Sequence, residues 1–154
     1  MRWLENRIPP PLVATLFGLL MWLVAHLLPG RLELAIEWRL GTALAVLLVG
    51  VGVCLAGVLS FRRARTTVNP LKPETASALV SSGIYRYTRN PMYLGFATAL
   101  LAWSVFLAWP PAVLGVLGFV LYMNRFQIAP EEWALSALFG ADFYQYCGRV
   151  RRWL

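Results

Sequence analysis

Residues 92–124 read MYLGFATALLAWSVFLAWPPAVLGVLGFVLYMN, 33 positions without a single Asp, Glu, Lys or Arg. A helix rises ~1.5 Å per residue, so ~20 apolar residues cross a ~30 Å hydrocarbon core. The run is long enough for two crossings and turns at Trp109-Pro110-Pro111. It therefore reads as a membrane hairpin. The second arm is the shorter, so its helix is expected to continue past Arg125 to Ile128, with the arginine near the interface.

Two further uncharged runs, residues 11–29 and 41–60, complete the pattern. Strands of a membrane barrel would be ~10 residues long and alternate in polarity, which these runs do not. The expectation is an all-α integral membrane bundle with four spans at 11–29, 41–60, 92–109 and 110–128, in one domain over residues 1–154. Composition agrees: 59% of the 154 residues are hydrophobic and 14% charged, against ~25% charged in a soluble domain. The first run follows Arg2 and Arg7 as a secretory signal would. It is too long, and no small-x-small cleavage site follows, so it is kept as an anchor.

Charge sets the expected topology. Twelve of the 14 basic residues fall on the N-terminal side of the bundle, in residues 1–10, 61–90 and 125–154, and only Arg31 and Arg39 on the other. The positive-inside rule then places both termini in the cytoplasm, in a bacterial inner membrane. The formal charge of +7 is assigned to anionic headgroups rather than to nucleic acid. Cys54 falls in a span and Cys147 in the tail, so no disulfide is expected, and neither forms a metal-ligand cluster with the lone His26, which suits an interfacial hydrogen bond. Gly50, Gly52, Gly57, Gly115 and Gly118 read as sites of close helix packing. Residues 31–40 are expected to extend the second helix along the interface. The tail, with Phe143, Tyr144, Tyr146, Arg149, Arg151, Arg152 and Trp153, suits a segment lying on headgroups.

Polar chemistry gathers in two cytoplasmic pieces, 61–90 and 129–154. The first contains Asn69-Pro70-Leu71-Lys72-Pro73 and ends in Tyr85-Arg86-Tyr87-Thr88-Arg89-Asn90-Pro91-Met92-Tyr93-Leu94-Gly95. Asn90 as cap with Pro91 at the first helical position starts a helix, and a helix start suits a carboxylate or phosphate. The bland alternative is a capped membrane helix with an interface belt of tyrosines. In the second piece Pro130 should kink or restart the helix, leaving Glu131 and Glu132 in its first turn. Those acids either complement the helix dipole or accept hydrogen bonds from a ligand's hydroxyls, such as a ribose diol.

Taken together, Tyr85-x3-Arg89-Asn90-Pro91-x-Tyr93-x-Gly95 and the later Glu131-Glu132-x2-Leu135 with Phe139-Gly140-x2-Phe143-x2-Tyr146 resemble the isoprenylcysteine carboxyl methyltransferase family and its bacterial relatives, integral membrane enzymes related to the phospholipid N-methyltransferases. The resemblance covers roughly the C-terminal half. It implies an S-adenosylmethionine-dependent methyltransferase that releases S-adenosylhomocysteine, with the cofactor held between the Arg-His-Pro-x-Tyr-x-Gly helix start and the Glu-Glu pair. Here Asn90 stands at the histidine position. The cofactor-binding residues it implies are Tyr85, Arg89, Asn90, Tyr93, Gly95, Glu131 and Glu132. Arg89 and the helix start suit the carboxylate, Glu131 or Glu132 the ribose, and the ring of Tyr85 or Tyr93 the sulfonium. Arg125 and Tyr93 are the candidate catalytic residues, with Arg125 orienting an anionic acceptor.

The acceptor is expected to be lipophilic and to enter from the bilayer. With no histidine in either cytoplasmic piece to take a proton, a carboxylate or thiol is favoured over a phospholipid amine. Two other classes compete. A small transporter would need an ionisable residue in mid-membrane, which the four runs lack, and a non-enzymatic membrane subunit leaves the two polar motifs without a use.

Overall fold

A computed structural model of the protein describes Glu5, residues 7–64 and residues 78–154. The chain forms α1 (Pro10–Leu27), α2 (Ile36–Arg63), α3 (Pro91–Leu107), α4 (Val113–Met123) and α5 (Ala129–Arg149), with short 3₁₀ turns at Gly83–Arg86 and Pro110–Ala112 and a π-helical turn at Asn124–Ile128. No described residue lies in a β-strand. The fold is the all-α membrane bundle expected from the apolar runs. Arg2 and residues 65–73, with the basic and proline-bearing stretch of the first cytoplasmic piece, lie outside the described residues.

α1, α2 and the continuous stretch Pro110–Arg149 are long and apolar enough to cross a membrane, and α3 is apolar over 17 residues, at the short end of the spanning range. α2 starts at Ile36, so the expected interfacial extension covers only residues 36–40. Residues 31–35 are non-helical because the Leu32 N–H donates to the Ala108 carbonyl (2.7 Å), tying this segment to the end of α3. The two basic residues on that side have structural partners. Arg31 donates to the Ala25 carbonyl (3.0 Å) near the end of α1, and Arg39 donates to the Phe106 carbonyl (Nε, 2.8 Å) at the end of α3 and stacks on the Phe106 ring. Each places a cation on carbonyls a helix end leaves open.

Packing between α2 and α3 depends on missing side chains. A Cβ on Gly95 would lie 2.7 Å from the Gly50 carbonyl oxygen and 2.8 Å from Cys54 Cβ, and one on Gly50 would lie 2.9 Å from the Gly95 oxygen. Gly57 likewise faces Pro91 and Met92 at 3.1 Å, whereas Gly52 has nothing within 4 Å. Gly115 and Gly118 of α4 admit Met21 and Phe17 of α1. Phe119, Met123 and Ile128 have no exposed surface and form the centre of the core. His26 Nδ1–H donates to the Trp22 carbonyl (2.8 Å), the hydrogen-bonding role expected of it, and Cys54 and Cys147 are both free.

Pro130 does not break the helix. Its missing N–H follows the π turn, where the backbone already departs from the i to i−4 ladder, so α4 runs into α5 without a stop. The interruption comes instead at Gly140, whose φ of +50° and ψ of −122° redirect the rest of α5.

Candidate functional site

The helix start expected at Asn90-Pro91 is present, with Asn90 at the cap position and Pro91 first in α3. The Asn90 side chain, however, caps nothing. Its Nδ2 donates to the Arg152 carbonyl (2.9 Å), and its backbone N–H donates to Thr88 Oγ1 (3.2 Å). The C-terminal tail is thereby drawn onto α3 rather than laid along headgroups. The Arg89 N–H donates to the Arg151 carbonyl (3.0 Å), and Trp153 Nε1 donates to Asn124 Oδ1 (3.0 Å) in the π turn.

Glu131 and Glu132 sit in different environments. Glu132 is held by two cations: Arg89 Nη2 reaches Oε1 (2.8 Å), while Arg152 places Nε on Oε1 (3.1 Å) and Nη2 on Oε2 (2.5 Å). Glu131 Oε1 accepts from the Tyr93 hydroxyl (2.5 Å) and from Gln127 Nε2 (2.7 Å). Its Oε2 takes no hydrogen bond from a described residue, and the side chain is only partly exposed. Beyond the apolar span, burial raises the Glu131 carboxyl to about 7 against the opposing effect of the Tyr93 and Gln127 hydrogen bonds. The helix-dipole alternative loses its basis here. The preceding turn is already helical, so the pair does not stand at a free helix end.

Arg89 also donates from Nη1 to the Cys147 carbonyl (3.3 Å), and its Nε–H is buried with no acceptor among the described residues. A buried donor without an acceptor is costly, and a ligand oxygen is one way to relieve it. Tyr85 is buried, with its ring edge-on to Phe61 and its carbonyl accepting from the Tyr146 hydroxyl (2.8 Å). Burial, together with nearby Tyr146 and Glu131, pushes the Tyr85 hydroxyl well above its usual range. A groove of about 550 Å³ lies between the Leu79–Arg86 loop and the last turns of α5, with Arg86, Asp142, Tyr146 and Arg149 among its walls; Tyr146 borders it, whereas Tyr85, Arg89, Asn90, Tyr93, Glu131 and Glu132 do not line it.

The structure thus brings Tyr85, Arg89, Asn90, Tyr93, Glu131 and Glu132 into one cluster. Gly95 lies one turn further along α3 and faces α2, where its role is close packing. Arg125 is elsewhere: half-exposed, it pairs with Glu5 (2.8 Å) and lies over the Phe126 ring. Sequence reasoning missed Thr88, Asn124, Gln127 and Arg152. Gln127 alone had a readable signal, standing four residues before Glu131 on a helix.

A family model described as phospholipid methyltransferase matches residues 38–142. Protein-S-isoprenylcysteine O-methyltransferase A of Arabidopsis thaliana is 29% identical over 116 residues, 73% of this chain and 57% of the relative. A probable protein-S-isoprenylcysteine O-methyltransferase of Oryza sativa subsp. indica is 29% identical over 110 residues, 70% of this chain and 56% of the relative. The chain therefore spans little more than half the length of these two relatives. An uncharacterized protein of Haemophilus influenzae is 48% identical over 63 residues, all of that protein and 41% of this chain. No solved structure matches. The resemblance read between Tyr85 and Tyr146 is borne out, and with a match over two thirds of its length the chain belongs to the phospholipid methyltransferase family.

Proposed function

We propose that the protein transfers a methyl group from S-adenosylmethionine to a lipophilic acceptor at the cytoplasmic face of the membrane, with both termini on that face and, in a bacterium, in the inner membrane. The observation that carries this reading is the meeting of two segments 43 residues apart at the Arg89–Glu132 ion pair, beside an Arg89 Nε–H with no acceptor among the described residues and a Glu131 that takes both its described hydrogen bonds on Oε1. The residues fit such a cofactor. Arg89 offers its Nε–H to the carboxylate, and Glu131 Oε2 accepts from ribose hydroxyls. Tyr85 or Tyr93 presents a ring to the sulfonium.

S-Adenosylmethionine supplies an electrophilic methyl on a sulfonium. The acceptor's lone pair forms the bond to that carbon while the carbon–sulfur bond breaks and its electron pair stays on sulfur. Little else is needed beyond alignment and exclusion of water. An apolar bundle beside a polar cluster suits this, since the acceptor enters from the bilayer and the cofactor from water. A carboxylate or thiol acceptor needs no strong base. One observation favours the phospholipid amine alternative: Glu131, a buried carboxyl raised to about 7 and hydrogen-bonded to Tyr93 and Gln127, takes up a proton in place of the missing histidine.

The test is calorimetric titration with S-adenosylhomocysteine in detergent, comparing the unmodified protein with Glu131→Gln. Measurable binding weakened by roughly tenfold to a hundredfold in the variant supports the reading, corresponding to ~1.5–3 kcal/mol for a lost hydrogen bond to a charged group. No binding to a folded preparation overturns it.

A further inference from the structure

The family model matches residues 38–142, so the segment that follows α5 lies beyond the residues it matches. Yet this segment closes the cluster. The Arg151 and Arg152 carbonyls receive Arg89 N–H, Thr88 Oγ1 and Asn90 Nδ2, and Trp153 is fixed to Asn124. In consequence Arg152 is brought onto both oxygens of Glu132, opposite Arg89.

We infer that Arg152 is a positioning residue that makes Arg89 an anion receptor, and that Asn90 serves to hold the Arg152 backbone in place. Arg89 and Glu132 alone would form a neutral pair, with the guanidinium satisfied by the carboxylate. Arg152 adds a second cation to the same carboxylate and spreads its charge over two partners. The cluster of Arg89, Arg152 and Glu132 then carries one net positive charge, with side chains only 14%, 38% and 21% exposed. A partly desolvated excess cation beside a buried, unpartnered N–H favours a bound carboxylate. Asn90 suits its task because an amide N–H donates to a carbonyl at any pH, which a neutral imidazole does only in one tautomer.

The inference rests on the proposed cofactor, and the ligand pair separates the two. S-Adenosylhomocysteine and its carboxamide differ only in the carboxylate. The unmodified protein is expected to bind the acid at least tenfold more tightly than the amide. Arg152→Gln should reduce that ratio to below about threefold by weakening acid binding alone, and Arg152→Lys should restore most of it by returning the charge. Ligand-free melting accompanies each titration. Equal losses for acid and amide in Arg152→Gln would mean that the residue merely supports the fold, and an unchanged ratio would mean that it does not act on Arg89; either overturns the inference and leaves the methyltransferase reading standing. Failure of the unmodified protein to bind either ligand overturns both.

Discussion

Replacing Gly95 by alanine tests how the two central helices are joined. The new methyl would lie 2.7 Å from the Gly50 carbonyl oxygen, 2.8 Å from Cys54 Cβ and 3.2 Å from Cys54 N. Ordinary contact begins near 3.4 Å, so α2 would have to retreat by about 0.7 Å. Two of the three neighbours are backbone atoms and cannot turn aside. Overpacking of this kind costs ~1–3 kcal/mol, and the gain of ~1 kcal/mol in helix propensity offsets only part of it. Gly52→Ala is the internal control. It sits two residues after Gly50 on the same helix but has nothing within 4 Å, so it should gain up to ~1 kcal/mol. Both variants, melted in detergent alongside the unmodified protein, should therefore shift in opposite directions. Equal shifts, or a Gly95→Ala protein as stable as the original, would refute close backbone contact as the basis of the α2–α3 joint.

Three further outcomes follow from the same geometry. Because the Glu131 carboxyl is raised from 4.5 to about 7 on folding, its contribution to stability is complete below pH ~4.5 and is lost as pH rises through 7. The ceiling is roughly 3 kcal/mol, smaller for a partly exposed group, and the fall between pH 5 and 8 should flatten in Glu131→Gln when melting is followed against pH. Arg125→Gln should leave S-adenosylhomocysteine affinity unchanged and cost under about 1 kcal/mol, since its pair with Glu5 is exposed; a tenfold affinity loss in titration would return Arg125 to the site. A C-terminal reporter active only in the periplasm should remain silent, and activity there would invert the topology.

The spans were legible because apolar runs of this length have few alternatives. The start of α3 was legible because Pro91 has no N–H to leave unpaired and a φ already set for the first helical position. Gln127 and Glu131 share a turn and are in principle readable together. The rest of the site depends on contacts that no local pattern encodes. The Asn90 side chain turns from capping to the Arg152 carbonyl 62 residues away, and a tail whose aromatics and cations suit a headgroup surface folds back because Glu132 and Asn124 offer it better partners. The kink or restart expected at Pro130 does not occur, and the non-helical backbone falls at Gly140 instead. The π turn that accommodates it without a break is not visible in residue type.

That π turn can also be described as an insertion. Relative to an ordinary helix, Asn124–Ile128 holds one residue too many, and each residue turns a helix by about 100°. Without it, the face of α5 bearing Glu131 would be rotated by that angle relative to the face of α4 that fills the core. Deleting one residue between positions 124 and 128 would keep the composition and the apolar length almost intact, yet swing Glu131 away from Tyr93. A family descended through such single-residue gains and losses could thus redirect its polar pair while leaving its membrane hairpin untouched.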